Sequence, residues 1–157
     1  MKTKTYVLTV VVLLYLSACS STKNTIETIQ QTTQKIEIKD FTIKVNYAVP
    51  MRMKQISLTS DYDIRVKNDS AFAFLPYYGV AHVAPMNSSE GGIKFAELMT
   101  NYVIQPNKKN DGWVISFKVN AKEYHYQIYM NIFNNGNSTV TVNSYERDAI
   151  TFYGDVK

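Results

Sequence analysis

Few side chains in this sequence could do acid–base, nucleophilic or metal chemistry. There are two histidines, His82 and His125, and one cysteine, Cys19. A structural zinc site needs about four ligands, drawn mostly from Cys and His, so no metal or cofactor is expected. The acidic residues do not follow the spacing of an EF-hand loop. Asp61 and Asp63 put two carboxylates on one strand face, which reads as a solvated strand edge. Catalytic triads are assembled from distant residues, so His82 or His125 could serve a hydrolase beside a Ser, Asp or Glu. No Gly-x-Ser-x-Gly elbow accompanies them. His125 alternates with Tyr124 and Tyr126 and shares a face with Gln127, Tyr129 and Asn131. That face is either a plain solvated surface or a concave ligand surface. Tyrosine is abundant, with 12 copies. It joins a large apolar body to a polar tip, so Tyr77, Tyr78, Tyr124, Tyr126, Tyr129, Tyr145 and Tyr153 could line a pocket. The weak binding candidates are Tyr77, Tyr78, His82, His125 and Tyr129.

The lone cysteine reads differently. Lys2 and Lys4 form a basic start, Val7 to Leu16 is apolar, and Leu16-Ser17-Ala18-Cys19 closes the segment with small residues. This is the layout of a secretory signal peptide. The apolar run falls short of the roughly 20 residues that a membrane-spanning helix needs. Leu16-Ser17-Ala18-Cys19 resembles the lipobox of bacterial lipoproteins. That resemblance implies cleavage before Cys19 and acylation, palmitate included, of its sulfur and new amine. Each buried methylene of an acyl chain contributes about 0.8 kcal/mol, so several chains anchor stably. Ser20 in place of Asp is compatible with the outer membrane. With one cysteine no internal disulfide can form. The domain must therefore be held by its apolar faces.

The elements behind this leader are mostly strands. Ser20 to Gln34 is rich in Ser, Thr, Asn and Gln and reads as a tether, with Ile26, Ile29 and Ile36 hinting at a short helix. From Phe41 the apolar period is two. Phe41, Ile43, Val45, Tyr47 and Val49 share a face, and Pro50 ends the run. Alternation continues at Ile56–Thr59, Tyr62–Lys67 and Ser70–Leu75. It resumes at 101–105, 113–121, 124–133, 138–145 and 150–153. Asn110-Asp111-Gly112 and Asn135-Gly136 supply tight turns. Pro76 to Phe95 reads as a long loop or short edge strand, and Ala96 to Thr100 as a helical turn. Arg147 and Asp148 lie at a turn between the last two strands, where they could pair with each other or cap the turn, with little net energy if exposed. The expected fold is all-β: a curved antiparallel sheet or partial barrel of consecutive hairpins, with a short N-terminal helix allowed. The expected organisation is a leader over 1–18, a polar tether over 19–36 and one β-rich domain over 37–157.

Three strings carry a family resemblance: Leu75-Pro76-Tyr77-Tyr78-Gly79-Val80-Ala81, then Ser89-Glu90-Gly91-Gly92-Ile93-Lys94-Phe95, then Ser144 to Gly154. In this order they resemble the domain-of-unknown-function 4251 family of Bacteroidota lipoproteins, over roughly Phe41 to Val156. That family often carries Arg where this chain has Val80. It brings no activity, cofactor or catalytic residue to carry over.

Charge narrows the partners. The chain has 17 basic and 13 acidic residues, a formal +4. Lys2 and Lys4 leave with the leader, so the mature excess is only about +2, and no nucleic-acid motif or basic run is present. The reading is a lipid-anchored envelope protein, most simply a non-catalytic binding or structural module. Its partner would be the membrane through Cys19, together with a protein, a glycan or an apolar ligand. A structural subunit pairing through a sheet edge and a hydrolase using His82 or His125 are the competing readings.

Overall fold

The computed structural model describes residues 20–83, 91–122 and 124–157. Cys19 and the leader, with the lipidation and cleavage expected there, lie outside the described residues, as do Pro85, Ser89 and Glu90. The chain forms one helix, α1 (Ser20–Glu37), followed by nine strands. These are β1 (Asp40–Pro50), β2 (Ile56–Lys67), β3 (Ser70–Leu75), β4 (Ile93–Leu98), β5 (Thr100–Pro106), β6 (Gly112–Ala121), β7 (Tyr124–Phe133), β8 (Asn137–Ser144) and β9 (Ile150–Val156).

All nine strands lie in one antiparallel sheet of order β4-β3-β2-β1-β9-β8-β7-β6-β5. Two meanders, β1 to β4 and β5 to β9, are joined along the pairing of β1 with β9. Direction alternates across the sheet, so its two end strands, β4 and β5, run the same way. Only Met99 separates them in sequence. They are one long bent run whose first half pairs with β3 and whose second half pairs with β6. The sheet curls until these ends meet and gives a nearly closed barrel. The expected curved all-β sheet of hairpins is what forms, preceded by one helix.

The bend replaces the helical turn expected at Ala96–Thr100. Ala96–Leu98 pairs with Ser70–Phe72, so the segment is strand. The ladder shifts between Thr100 and Val103, and Asn101 takes φ +53°. Such a bulge bends a strand and sharpens its twist. Asn tolerates this left-handed geometry better than a β-branched residue does. The outer edge of β5 is unpaired, and Val103 and Ile104 are exposed there.

The barrel interior is a single apolar core. Ile43, Ile64, Val66, Ile115, Val119, Ile128, Ile132, Val140 and Phe152 are fully buried on inward-facing positions of six strands. Outward neighbours are half-buried or exposed, as the period of two requires. The helix takes in residues 20–36 of the expected polar tether together with Glu37, and Thr32 and Ile36 are buried near its end. Lys39, at φ +53°, turns the chain into β1 and sets its ammonium 4.6 Å from the centre of the Tyr102 ring.

Strand β1 departs from its expected face. The alternation holds from Phe41 to Val45, then the register shifts between Val45 and Tyr47 against both neighbours. Against β9, Val45 meets Gly154 while Tyr47 meets Tyr153, so Asn46 is extra. One extra residue moves every later side chain to the opposite face. Ala48 and Pro50 therefore point into the core, and Tyr47 stands 41% exposed outside it.

Candidate functional site

Two regions gather chemistry-bearing side chains. The first closes one mouth of the barrel, where the β8–β9 connection meets the loop after β3. Ala81 bridges Arg147, the Asp148 N–H donates to Val80 O at 3.0 Å, and the His82 N–H donates to Glu146 O at 2.8 Å. Val80 contributes its carbonyl, while its side chain is 50% exposed. The Tyr77 hydroxyl donates at 3.1 Å toward both Val80 O and Asp148 O. A side chain at residue 79 would collide with that tyrosine, since a Cβ there falls 2.6 Å from the hydroxyl. The glycine is what lets the ring fold back.

Arg147 and Asp148 lie between the last two strands as expected, but they are buried there. They are 6% and 8% exposed, and they do not pair with each other. The Arg147 guanidinium lies 3.7 Å from the centre of the Tyr124 ring and 5.1 Å from that of Tyr77. Its Nη1 donates to Gly92 O at 2.8 Å, and its Nε has no partner. Among the described residues no carboxylate lies within ion-pair reach of it. Two ring faces and a carbonyl thus hold a buried cation where an acid would ordinarily be required. Asp148 turns the other way. The His82 Nε2–H donates to its Oδ1 at 2.9 Å. Its Oδ2 lies 3.2 Å from Arg52 Nε, close enough for an ion pair but not aligned as a hydrogen bond.

Beside this pair, the His125 Nδ1–H donates to Glu146 Oε1 at 2.9 Å, and the Ser144 hydroxyl donates to Glu146 Oε2. Burial alone would push the Glu146 carboxyl up. The bonds from Ser144, His125 and two backbone N–H groups outweigh it and bring the pKa down to about 2. A serine nucleophile needs the imidazole between itself and the acid. Here serine and imidazole share the carboxylate, so His125 does not receive the serine proton. The arrangement keeps Glu146 ionised and splints the β8–β9 connection.

The second region is the outer wall formed by β7, β8, β9 and the end of β1. Its outward residues include His125, Gln127, Tyr129, Asn131, Thr139, Thr141, Asn143, Thr151 and Tyr153. Cross-strand pairing sets them in rows: Tyr129 opposite Thr141, Thr141 opposite Thr151, Thr139 opposite Tyr153, and Tyr153 opposite Tyr47. This wall is convex, since the core occupies its other side. Lys, Arg and Glu are absent from its outward positions, and Asp155 is its acid. Where β1 bulges, the wall opens into a groove of about 540 Å³ flanked by Tyr47 and Tyr153 and lined also by Asn46, Asn137, Ser138 and Asp155. By contrast, β2 carries Asp61, Asp63 and Arg65 on its outward face. Asp61 pairs with Lys44, and Asp63 lies 3.7 Å from Arg65. β2 is an internal strand, so the expected solvated edge is a solvated face.

The candidate residues therefore divide. Tyr77 and His82 meet around Asp148, His125 pairs with Glu146 nearby, and Tyr78 packs partly buried against the core. Tyr129, 39% exposed, stands apart on the convex wall. Arg147 is not among the candidate residues because a charged pair between strands looks like any surface turn. Tyr47 is not among them because strict alternation placed it inside, and the bulge at Asn46 has no strong local signal. Among the described residues no group of three or more His, Cys, Asp or Glu side chains could hold a metal ion. No described helix is long and apolar enough to cross a membrane.

Fold and site together define a small antiparallel barrel with a packed interior, one mouth sealed by an arginine–tyrosine stack, and a polar wall poor in charge. The model of the family described as Domain of unknown function (DUF4251) matches residues 23–156. The chain belongs to that family. A crystal structure of a DUF4251 family protein from Bacteroides eggerthii is similar, with a TM-score of 0.63 at 18% identity over 82% of this chain and 86% of the other. That likeness is one of fold. No curated protein matches the chain.

Proposed function

We propose that this protein is a non-catalytic binding module of the bacterial cell envelope, anchored by lipid on Cys19 and facing its ligand with the convex β7–β8–β9–β1 wall. The observation that carries the reading is the character of that wall. Solvated barrel faces are usually studded with both signs of charge, as β2 is here. This wall instead presents tyrosine, amide and hydroxyl groups around a groove. Such groups recognise ligands by ring contact and hydrogen bonds rather than by charge. The anchor reading rests on Leu16-Ser17-Ala18-Cys19, with the outer membrane as the expected site.

The test uses the lipidated chain purified in detergent and isolated cell envelopes. Binding should be saturable, and Thr139→Lys with Thr141→Lys should weaken it at least tenfold by charging the wall. Unchanged binding in the doubly charged variant would reject the reading. Separately, Cys19→Ser should shift the protein from the membrane to the soluble fraction or stall its processing. Intact mass of the native protein should show acyl chains on Cys19.

The hydrolase reading draws on the His82–Asp148 and His125–Glu146 pairs. Its test is ester, amide and glycoside turnover by the wild type against His82→Ala and His125→Ala. Turnover abolished by either change would favour it.

A further inference from the structure

The Tyr47–Tyr153 groove has more detail than the binding reading uses. Tyr47 on β1 and Tyr153 on β9 are direct register partners, 41% and 42% exposed. Among the described residues neither ring stacks on another ring and neither hydroxyl bonds to the protein, so both rings are partly open to solvent and both hydroxyls are free. The Asn46 amide donates to Asp155 Oδ2 at 2.8 Å, which fixes a planar amide and a planar carboxylate side by side at the groove wall. Their remaining oxygens face no protein donor.

Three features set the ligand chemistry. Open aromatic faces stack on C–H-bearing rings. Planar acceptors placed side by side take paired hydroxyl donors. The outward positions of β7, β8 and β9 carry no Lys or Arg, and Lys44, opposite Asp155 on β1, is paired with Asp61, so no free counter-charge faces phosphate, sulfate or carboxylate ligands. A neutral pyranose has that combination: an apolar C–H face, adjacent hydroxyls and no charge. Building on the binding reading above, we infer that the groove between Tyr47 and Tyr153 binds a neutral glycan. Tyr47 and Tyr153 carry the sugar rings, and Asn46 with Asp155 takes the hydroxyls. An apolar ligand would leave the Asn46 and Asp155 groups desolvated and unpaired, which disfavours it.

The experiment has two arms, both with the full lipidated chain in detergent. In the first, native gels are cast with laminarin, xylan, yeast mannan or glycogen as neutral polysaccharides, and with alginate as the acidic control. Retardation by at least one neutral polymer is expected. Tyr153→Ala and Tyr47→Ala should each weaken it at least tenfold. Tyr145→Ala, which removes a tyrosine 89% exposed elsewhere, should not change it. Retardation by alginate alone, or by none of the polymers, overturns the inference. In the second arm, envelopes are treated with periodate, which cleaves vicinal diols, or with proteinase K before the binding assay. Loss after periodate supports the inference. Loss only after proteinase K overturns it in favour of a protein ligand and leaves the binding reading standing. Absence of envelope binding without treatment rejects the binding reading itself. Circular dichroism of each variant separates lost binding from lost fold.

Discussion

Arg147 is a cation almost wholly removed from water, and its stabilising contacts are two tyrosine rings and the Gly92 carbonyl. Replacing it by Ala removes those contacts and opens a void at the barrel mouth. Arg147→Ala should lower stability by about 2–3 kcal/mol, read as a lower urea midpoint at unchanged slope. Arg147→Lys should recover only part of the loss, because an ammonium cannot lie flat on Tyr124. Glu146 supports a pH prediction. Its carboxyl ordinarily titrates near 4.5 and is held to about 2 in the fold. The folded form therefore gains stability from the ionised carboxylate above pH 4.5 and loses it as pH falls from 4.5 toward 2. Glu146→Gln should flatten the acid limb of a thermal-melt profile across that window and leave the neutral-pH slope unchanged. A parallel acid limb in wild type and variant would show that other carboxylates govern acid unfolding.

Among the elements, β1 and β9 matter most, because their pairing joins the two meanders and shapes the groove. The bulge at Asn46 brings the β1 backbone against Gly154. A Cβ at 154 would fall 2.1 Å from Lys44 O, closer than any real contact. Gly154→Ala should therefore cost about 1–3 kcal/mol and blunt glycan retardation along with stability. The bend between β4 and β5 gives a milder test. Asn101→Val places a β-branched residue at φ +53° and should destabilise by about 1–2 kcal/mol, whereas Asn101→Gly should be nearly neutral. Urea midpoints for the two variants check the ordering. Most strands were legible locally, since apolar residues at every second position leave β6, β7 and β8 little alternative. The bulge and the bend were not, because each is a slip of one residue whose direction is set by the partner strand.

At the scale of the molecule, one apolar core is shared by both meanders, and the bent β4–β5 run ties the sheet ends together. Neither half can keep its inner face dry without the other. Unfolding should accordingly be one cooperative transition. Trp113 on β6 reports the second meander, and far-ultraviolet circular dichroism reports the whole sheet, so the two urea curves should superimpose. Separated midpoints would show that the β1–β9 pairing is weaker than the core argument requires.

By itself, the sequence determined that the chain is β-rich, where most strands begin and end, and that no disulfide holds the domain. These follow from alternation, turn residues and a single cysteine, all of which act over a few neighbours. The resemblance in the 75–81, 89–95 and 144–154 strings also anticipated the family. Only the tertiary structure decided that β9 returns to β1, that Arg147 is buried, and that Tyr47 faces outward opposite Tyr153. Each depends on contacts between residues 23 to 109 positions apart. Such contacts form only when the whole sheet closes, and the types and spacing of local residues do not encode which partner arrives.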